Sequence, residues 1–209
     1  SGGIATNGGG NHGISVFGVS GAEGVIRTTG TGNINITAAA GTSNGPGGVS
    51  ENEHSGISLN SSGNGFGRIE TLGTGAITLN GTGGSGDGNG LNGIYVGSGA
   101  LVSANGSDIN LNGTTAGGNA AFSAGVWVNG TVQNVGTGII NVLGTAGGVA
   151  TGNGAQGGIV NRGVISTVDG DITLNGTSSS AGTRASTGVY VSGGYVRTTG
   201  AGDINVMGT

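Results

Sequence analysis

Short apolar runs recur along the whole chain, and within each run apolar and polar residues alternate with a period of two. Ile14-Ser15-Val16, Ile57-Ser58-Leu59 and Ile94-Tyr95-Val96 follow this rule, as do Ile77-Thr78-Leu79, Ile109-Asn110-Leu111 and Ile172-Thr173-Leu174. Successive side chains of a strand point to opposite faces, so this alternation predicts half-buried β-strands. No window carries the i, i+3, i+4, i+7 apolar face of a helix, and the dominant Gly, Thr, Asn and β-branched residues disfavour one.

The strands come in threes, and the triplet repeats. Gly188–Thr209 (GVYVSGGYVRTTGAGDINVMGT) aligns without a gap to Gly93–Thr114 (GIYVGSGALVSANGSDINLNGT). The units share a degenerate pattern, G-[IV]-x-[VL], then [VI]-x-[ST], then [DN]-I-[NT]-[LVI] closed by G-T. Units start near residues 13, 56, 93, 125, 158 and 188, with residues 1–12 as the tail of a preceding coil. Spacing varies from 30 to 43 residues, almost wholly in the Gly-rich stretch after the third run. Three short strands cannot bury their apolar faces alone, whereas stacking each unit on the last pairs every strand with its counterpart one coil away. The predicted fold is therefore all-β: a single segment, 1–209, of right-handed parallel β-helix (β-solenoid) with about six three-strand coils.

The inward columns follow. Ile14, Ile57, Ile94, Val126, Ile159 and Val189 form one; Ile34, Ile77, Ile109, Ile140, Ile172 and Ile204 a second. Ile36, Leu79, Leu111, Val142, Leu174 and Val206 form a third. At ~4.8 Å per strand, six coils make a rod roughly 29 Å long.

Composition narrows the function. The 209 residues include 55 Gly, one Pro and no Cys, without the G-X-Y period of collagen. With no Lys and five Arg against nine acids, no basic patch exists to meet phosphates, so nucleic acid is not an expected partner. No apolar run approaches the ~18 residues of a membrane helix, so membrane insertion is not expected either. The absence of Cys agrees with export.

Several residue groups invite chemistry. Asn80, Asn112 and Asn175 stand in LNGT, which reads as Asn-Gly turns and also as glycan sequons. On the outward side of the first strand, Tyr95, Trp127 and Tyr190 occupy equivalent places, a stripe that could stack on sugar rings unless the Gly-rich segments fold over it. The third strand presents Asn35, Thr78, Asn110, Asn141, Thr173 and Asn205 as a polar ladder, too mixed for an ice-binding Thr array. Arg27 and Glu70 fall on adjacent coils as a solvated pair. Two acidic groups offer ligands for Ca²⁺ or another metal, Glu51, Glu53 and His54 in one insertion and Asp169, Asp171 and Asp203 at one corner; solvated loops are the simpler reading of both. No other cofactor is expected. With scattered acids and only His12 and His54 as histidines, catalysis is not expected.

These repeats resemble the β-strand-repeat surface adhesins of bacteria, of the filamentous-haemagglutinin and autotransporter-passenger type, across the whole chain. The resemblance implies an extracellular or cell-surface fibre serving adhesion, aggregation or matrix building, with no catalytic residues to carry over. Expected partners are further copies, end to end or laterally in filaments, and surface glycans. A carbohydrate-binding solenoid is the alternative, and a polysaccharide lyase or hydrolase a more distant one. SGGIATNGGGNHG (residues 1–13) is a near copy of AGGVATGNGAQGG (146–158), so the chain reads as a slice of a longer array or as a stacking subunit.

Overall fold

Alternating runs become stable strands here because each finds a parallel neighbour one coil away. The computed structural model describes residues 10–42, 54–86, 90–116, 123–147, 156–179 and 186–209. Among these, the regular structure is eighteen strands, and no helix occurs. The first coil holds β1 (Ile14–Gly18), β2 (Gly24–Thr28) and β3 (Ile34–Ala39). The second holds β4 (Ile57–Ser62), β5 (Gly65–Thr71) and β6 (Ile77–Thr82). Next come β7 (Ile94–Val96), β8 (Leu101–Ala104) and β9 (Ile109–Thr114), then β10 (Ser123–Val128), β11 (Thr131–Asn134) and β12 (Ile140–Thr145). The fifth coil contributes β13 (Gln156–Asn161), β14 (Val164–Thr167) and β15 (Ile172–Thr177), and the sixth β16 (Ser186–Val191), β17 (Tyr195–Thr198) and β18 (Ile204–Gly208).

First, second and third strands each stack into a six-stranded parallel sheet, giving a β-solenoid. A two-residue antiparallel contact, Ser61 with Phe66 and Ser62 with Gly65, joins the first two sheets at β4 and β5. The register matches the repeat position by position: Ile34 pairs with Ile77, Ile77 with Ile109, Ile109 with Ile140, Ile140 with Ile172, and Ile172 with Ile204. The Ile14 and Ile36 columns run equally unbroken. A further inward column, Ile26, Ile69, Val102, Val132, Ile165 and Val196, belongs to the second sheet. Apart from Ile204 and Val206 on the sixth coil, these side chains form one continuous core, with Ile57, Ile77, Ile109, Ile140 and Ile172 fully buried.

The Asn-Gly pairs of LNGT are not turns. Asn80-Gly81, Asn112-Gly113 and Asn175-Gly176 lie inside the extended strands β6, β9 and β15. Their glycines answer a different need. A Cβ on Gly81, Gly113, Gly144 or Gly176 would collide with the carbonyl oxygen of Gly93, Gly125, Gly158 or Gly188, respectively. In the second to fifth coils the end of the third strand thus crosses the start of the next first strand backbone against backbone, with no room for a side chain, whereas the first coil carries Ala38 at the equivalent position. Positive φ is confined elsewhere, as at Gly106 (φ 86°) in an open corner.

Gly144→Ala is expected to cost more than about 2 kcal/mol, because the added Cβ would overlap the Gly158 carbonyl and force the two strands apart at that crossing. Gly106→Ala, with free space around it, should cost only the left-handed backbone penalty of about 1–2 kcal/mol. Urea unfolding of the two variants measures this order, and the reverse order would show that the crossing tolerates a side chain.

Candidate functional site

The outward column of the first sheet runs Ser15, Ser58, Tyr95, Trp127, Val160 and Tyr190 in register. Of the two readings open for this stripe, exposed or covered, two of its three rings take the covered one. Trp127 is 2% exposed and Tyr95 7%, and with Ala124 and Val160 they form a second, smaller apolar cluster. Their polar atoms are satisfied internally: Trp127 Nε1 donates to Asn129 Oδ1 (3.0 Å), and Asn129 Nδ2 donates to Tyr95 Oη (3.2 Å). The Arg162 guanidinium lies 4.9 Å above the Trp127 ring as a cation–π contact. Tyr190, on the sixth coil, is 45% exposed. The stripe is thus mostly an outer core, to which Ala124 of β10 and Val160 of β13 contribute.

Asp169, Asp171 and Asp203 share one corner of the fifth and sixth coils, but no group of three potential ligands forms a metal site among the described residues. Two of the carboxylates serve the backbone instead. Asp171 Oδ1 accepts the N–H of Asp203 (2.8 Å), and Asp169 Oδ1 accepts that of Ala201 (3.3 Å). The Asp171 contact belongs to a series: Asn33 Oδ1 accepts from Ala76 N (2.9 Å), and Asp108 Oδ1 from Ile139 N (3.1 Å). The Asp or Asn that opens the third-strand motif is thus a staple to the following coil. The repeat displayed that preference, but its purpose needs the neighbouring coil to be seen.

Glu51 and Glu53 lie outside the described residues. His54, the third member of that group, is buried, and its Nδ1 accepts the Asn11 N–H (3.4 Å) while His12 Nδ1 accepts the Ser55 N–H (3.3 Å). Both imidazoles therefore bridge the first two coils as neutral acceptors. Burial pushes His12 below the ordinary histidine value, and the neighbouring His54 acts in the same direction.

Arg27 and Glu70 meet as expected, in register and 3.2 Å apart, but only the Arg27 side of the pair is solvated. Glu70 is 4% exposed and also accepts from Arg68 Nε (2.8 Å), while Arg68 reaches Glu23 (2.8 Å) on the first coil. The Glu23 carboxylate, aided by the charge of Glu70, raises the Arg68 guanidinium above its ordinary range. Sequence reading missed Arg68 because it sits two places from Glu70 on the same strand. On the third sheet the expected polar column holds one amide bond, Asn141 Nδ2 donating to Asn110 Oδ1 (3.0 Å), and the outward column beside it holds another, Asn112 Nδ2 donating to Asn80 Oδ1 (2.8 Å).

Set against known families, curated proteins and solved structures, the chain matches none of them. Function has to be argued from the geometry. The described surface offers backbone staples, amide ladders and neutralised ion pairs, all of which tie one coil to the next.

Two outcomes follow. Trp127→Ala should lower stability by about 3–5 kcal/mol in a denaturant titration, the cost of emptying a buried aromatic site; an unchanged midpoint would mean that the ring is dispensable surface. His12 is neutral in both folded and unfolded chains above its unfolded value of about 6.5. As pH falls below that value the unfolded chain takes up the proton first, so stability declines through the lowered folded value. Melting temperatures at neutral and mildly acidic pH should diverge more in the parent than in His12→Gln; equal divergence would remove His12 from the account.

Proposed function

We propose that the chain is a structural segment of an extracellular surface fibre, in which coils of this repeat continue the stack and the rod serves adhesion or matrix building. The observation that carries this reading is the sixth coil. Ile204 and Val206 hold the register of the buried residues before them, yet are 43% and 55% exposed. Strands β16, β17 and β18 each pair on one side only, as do β1, β2 and β3 at the other end. A further coil, of this polypeptide or of a second copy, would cover that apolar face and satisfy the open edge. Asp203 stands where Asp171 staples the coil after it, so its carboxylate is placed to accept an N–H from an incoming coil.

The surface location rests on the resemblance to bacterial repeat adhesins, and adhesion follows from the rod as a means of carrying contacts away from a cell. The reading assigns no catalytic role.

In electron micrographs, purified chain should form rods that lengthen with protein concentration. Val206→Asp should keep the melting temperature, since the position is exposed within a single chain, and abolish the longer rods. A parent chain that sediments as a monomer at its highest soluble concentration would overturn end-to-end stacking.

A further inference from the structure

The three sheets present three different outer faces. The first carries the buried Trp127 and Tyr95, and the second the ion pairs of Arg27, Arg68 and Glu70. The third is open and uncharged. Beside the column that begins at Asn35 run two more in the same register. One passes from Thr37 through Asn80 and Asn112 to Met207, and the other has five threonines in succession from Thr82 to Thr209. No charged side chain stands in these three columns, and none of their residues is buried. In a chain of net charge −4, this is the face along which two copies approach with least repulsion.

The side chains on it are already ordered. Besides the two amide bonds described above, Asn80 Nδ2 donates to Thr37 Oγ1 (3.4 Å) and Thr209 Oγ1 to Thr177 Oγ1 (3.3 Å). Groups fixed along the rod lose little further freedom on meeting a partner, and each amide keeps bonding capacity to spare. In the middle column Leu143, 44% exposed, adds apolar surface at the fourth coil. Strands of six residues at ~3.3 Å each and six coils at ~4.8 Å make a face of roughly 600 Å². Two such faces reach roughly 1,200 Å², the lower bound of stable, specific protein interfaces.

We propose that the third sheet is a lateral interface on which a second copy of this chain packs, sheet against sheet, with the rods parallel about a two-fold axis along their length. Matched coil spacing lets every row of one face meet a row of the other, at the ~10 Å separation of packed sheets. The direction follows from the acids. Asp108, Asp171 and Asp203 stand exposed at the edge where third strands begin. Antiparallel rods would bring two such edges together, whereas parallel rods set each against the threonine edge of the other. The axis then places the middle column opposite itself, so that the two copies of Leu143 meet. The pairing rests on the fibre reading only for its setting, rods that leave one surface in the same direction, and needs no end-to-end stacking.

Sedimentation equilibrium of Val206→Asp, whose exposed end is blocked, isolates the lateral contact. This variant should form a dimer and go no further. Adding Leu143→Glu or Leu143→Arg sets two like charges face to face and should weaken the dimer at least about tenfold. A mixture of the Leu143→Glu and Leu143→Arg chains should pair again. Val135→Glu, at an exposed position off this face, should leave the dimer intact, and all three substitutions should keep the melting temperature. A monomeric Val206→Asp chain would overturn the pairing while leaving end-to-end growth of the parent untouched, and its retention on microcrystalline cellulose would assign the face another occupant. A dimer that ignores Leu143→Glu, or that responds equally to Val135→Glu, would overturn the choice of face. A mixture that stays monomeric would overturn the parallel register.

Discussion

A parallel strand can be satisfied only by neighbours that arrive after a complete circuit of the chain, and this constraint governs the whole molecule. The N–H groups of Ile34, Ile77, Ile109, Ile140 and Ile172 each reach the carbonyl of the residue just before the equivalent strand of the following coil. A slip of one residue at any coil would turn every inward aliphatic side chain outward. Identity of sequence from coil to coil is therefore a requirement of register, and the six isoleucines beginning at Ile34 meet it without exception. Core burial adds about 1.5–3 kcal/mol for each aliphatic side chain, so stability accumulates along the rod rather than with its width.

The strands and their inward columns were legible because the repeat and the two-residue alternation state the same facts twice. Coil boundaries followed from the same redundancy. What escaped were contacts between positions far apart in sequence. Asn-Gly reads as a turn when only its neighbours are considered, yet Gly113 answers to Gly125, a residue beyond the intervening segment. Alternation marks the outward residues of the first strand without saying whether they are covered, and Trp127 and Tyr95 are buried. Local propensity ranks what a dipeptide prefers; the fold decides what it is used for.

The polar residues tell a related story. Asp171 was conspicuous as an acid near other acids, the pattern that suggests metal, but its oxygen is occupied by the backbone of the next coil. Glu70 was visible as half of an ion pair, while its burial and its second partner were not.

The crossing of glycine backbones has an evolutionary consequence. Each variable segment leaves and re-enters the rod at two points in contact, and eleven residues separate Gly81 from Gly93 where thirteen separate Gly144 from Gly158. Closing a loop whose ends already touch becomes only about 0.6 kcal/mol harder when its length doubles. Insertions, deletions and wholesale exchange at these points can therefore accumulate while pitch, core and register stay fixed. A lineage carrying such a rod is free to diversify what it displays without redesigning what holds it up.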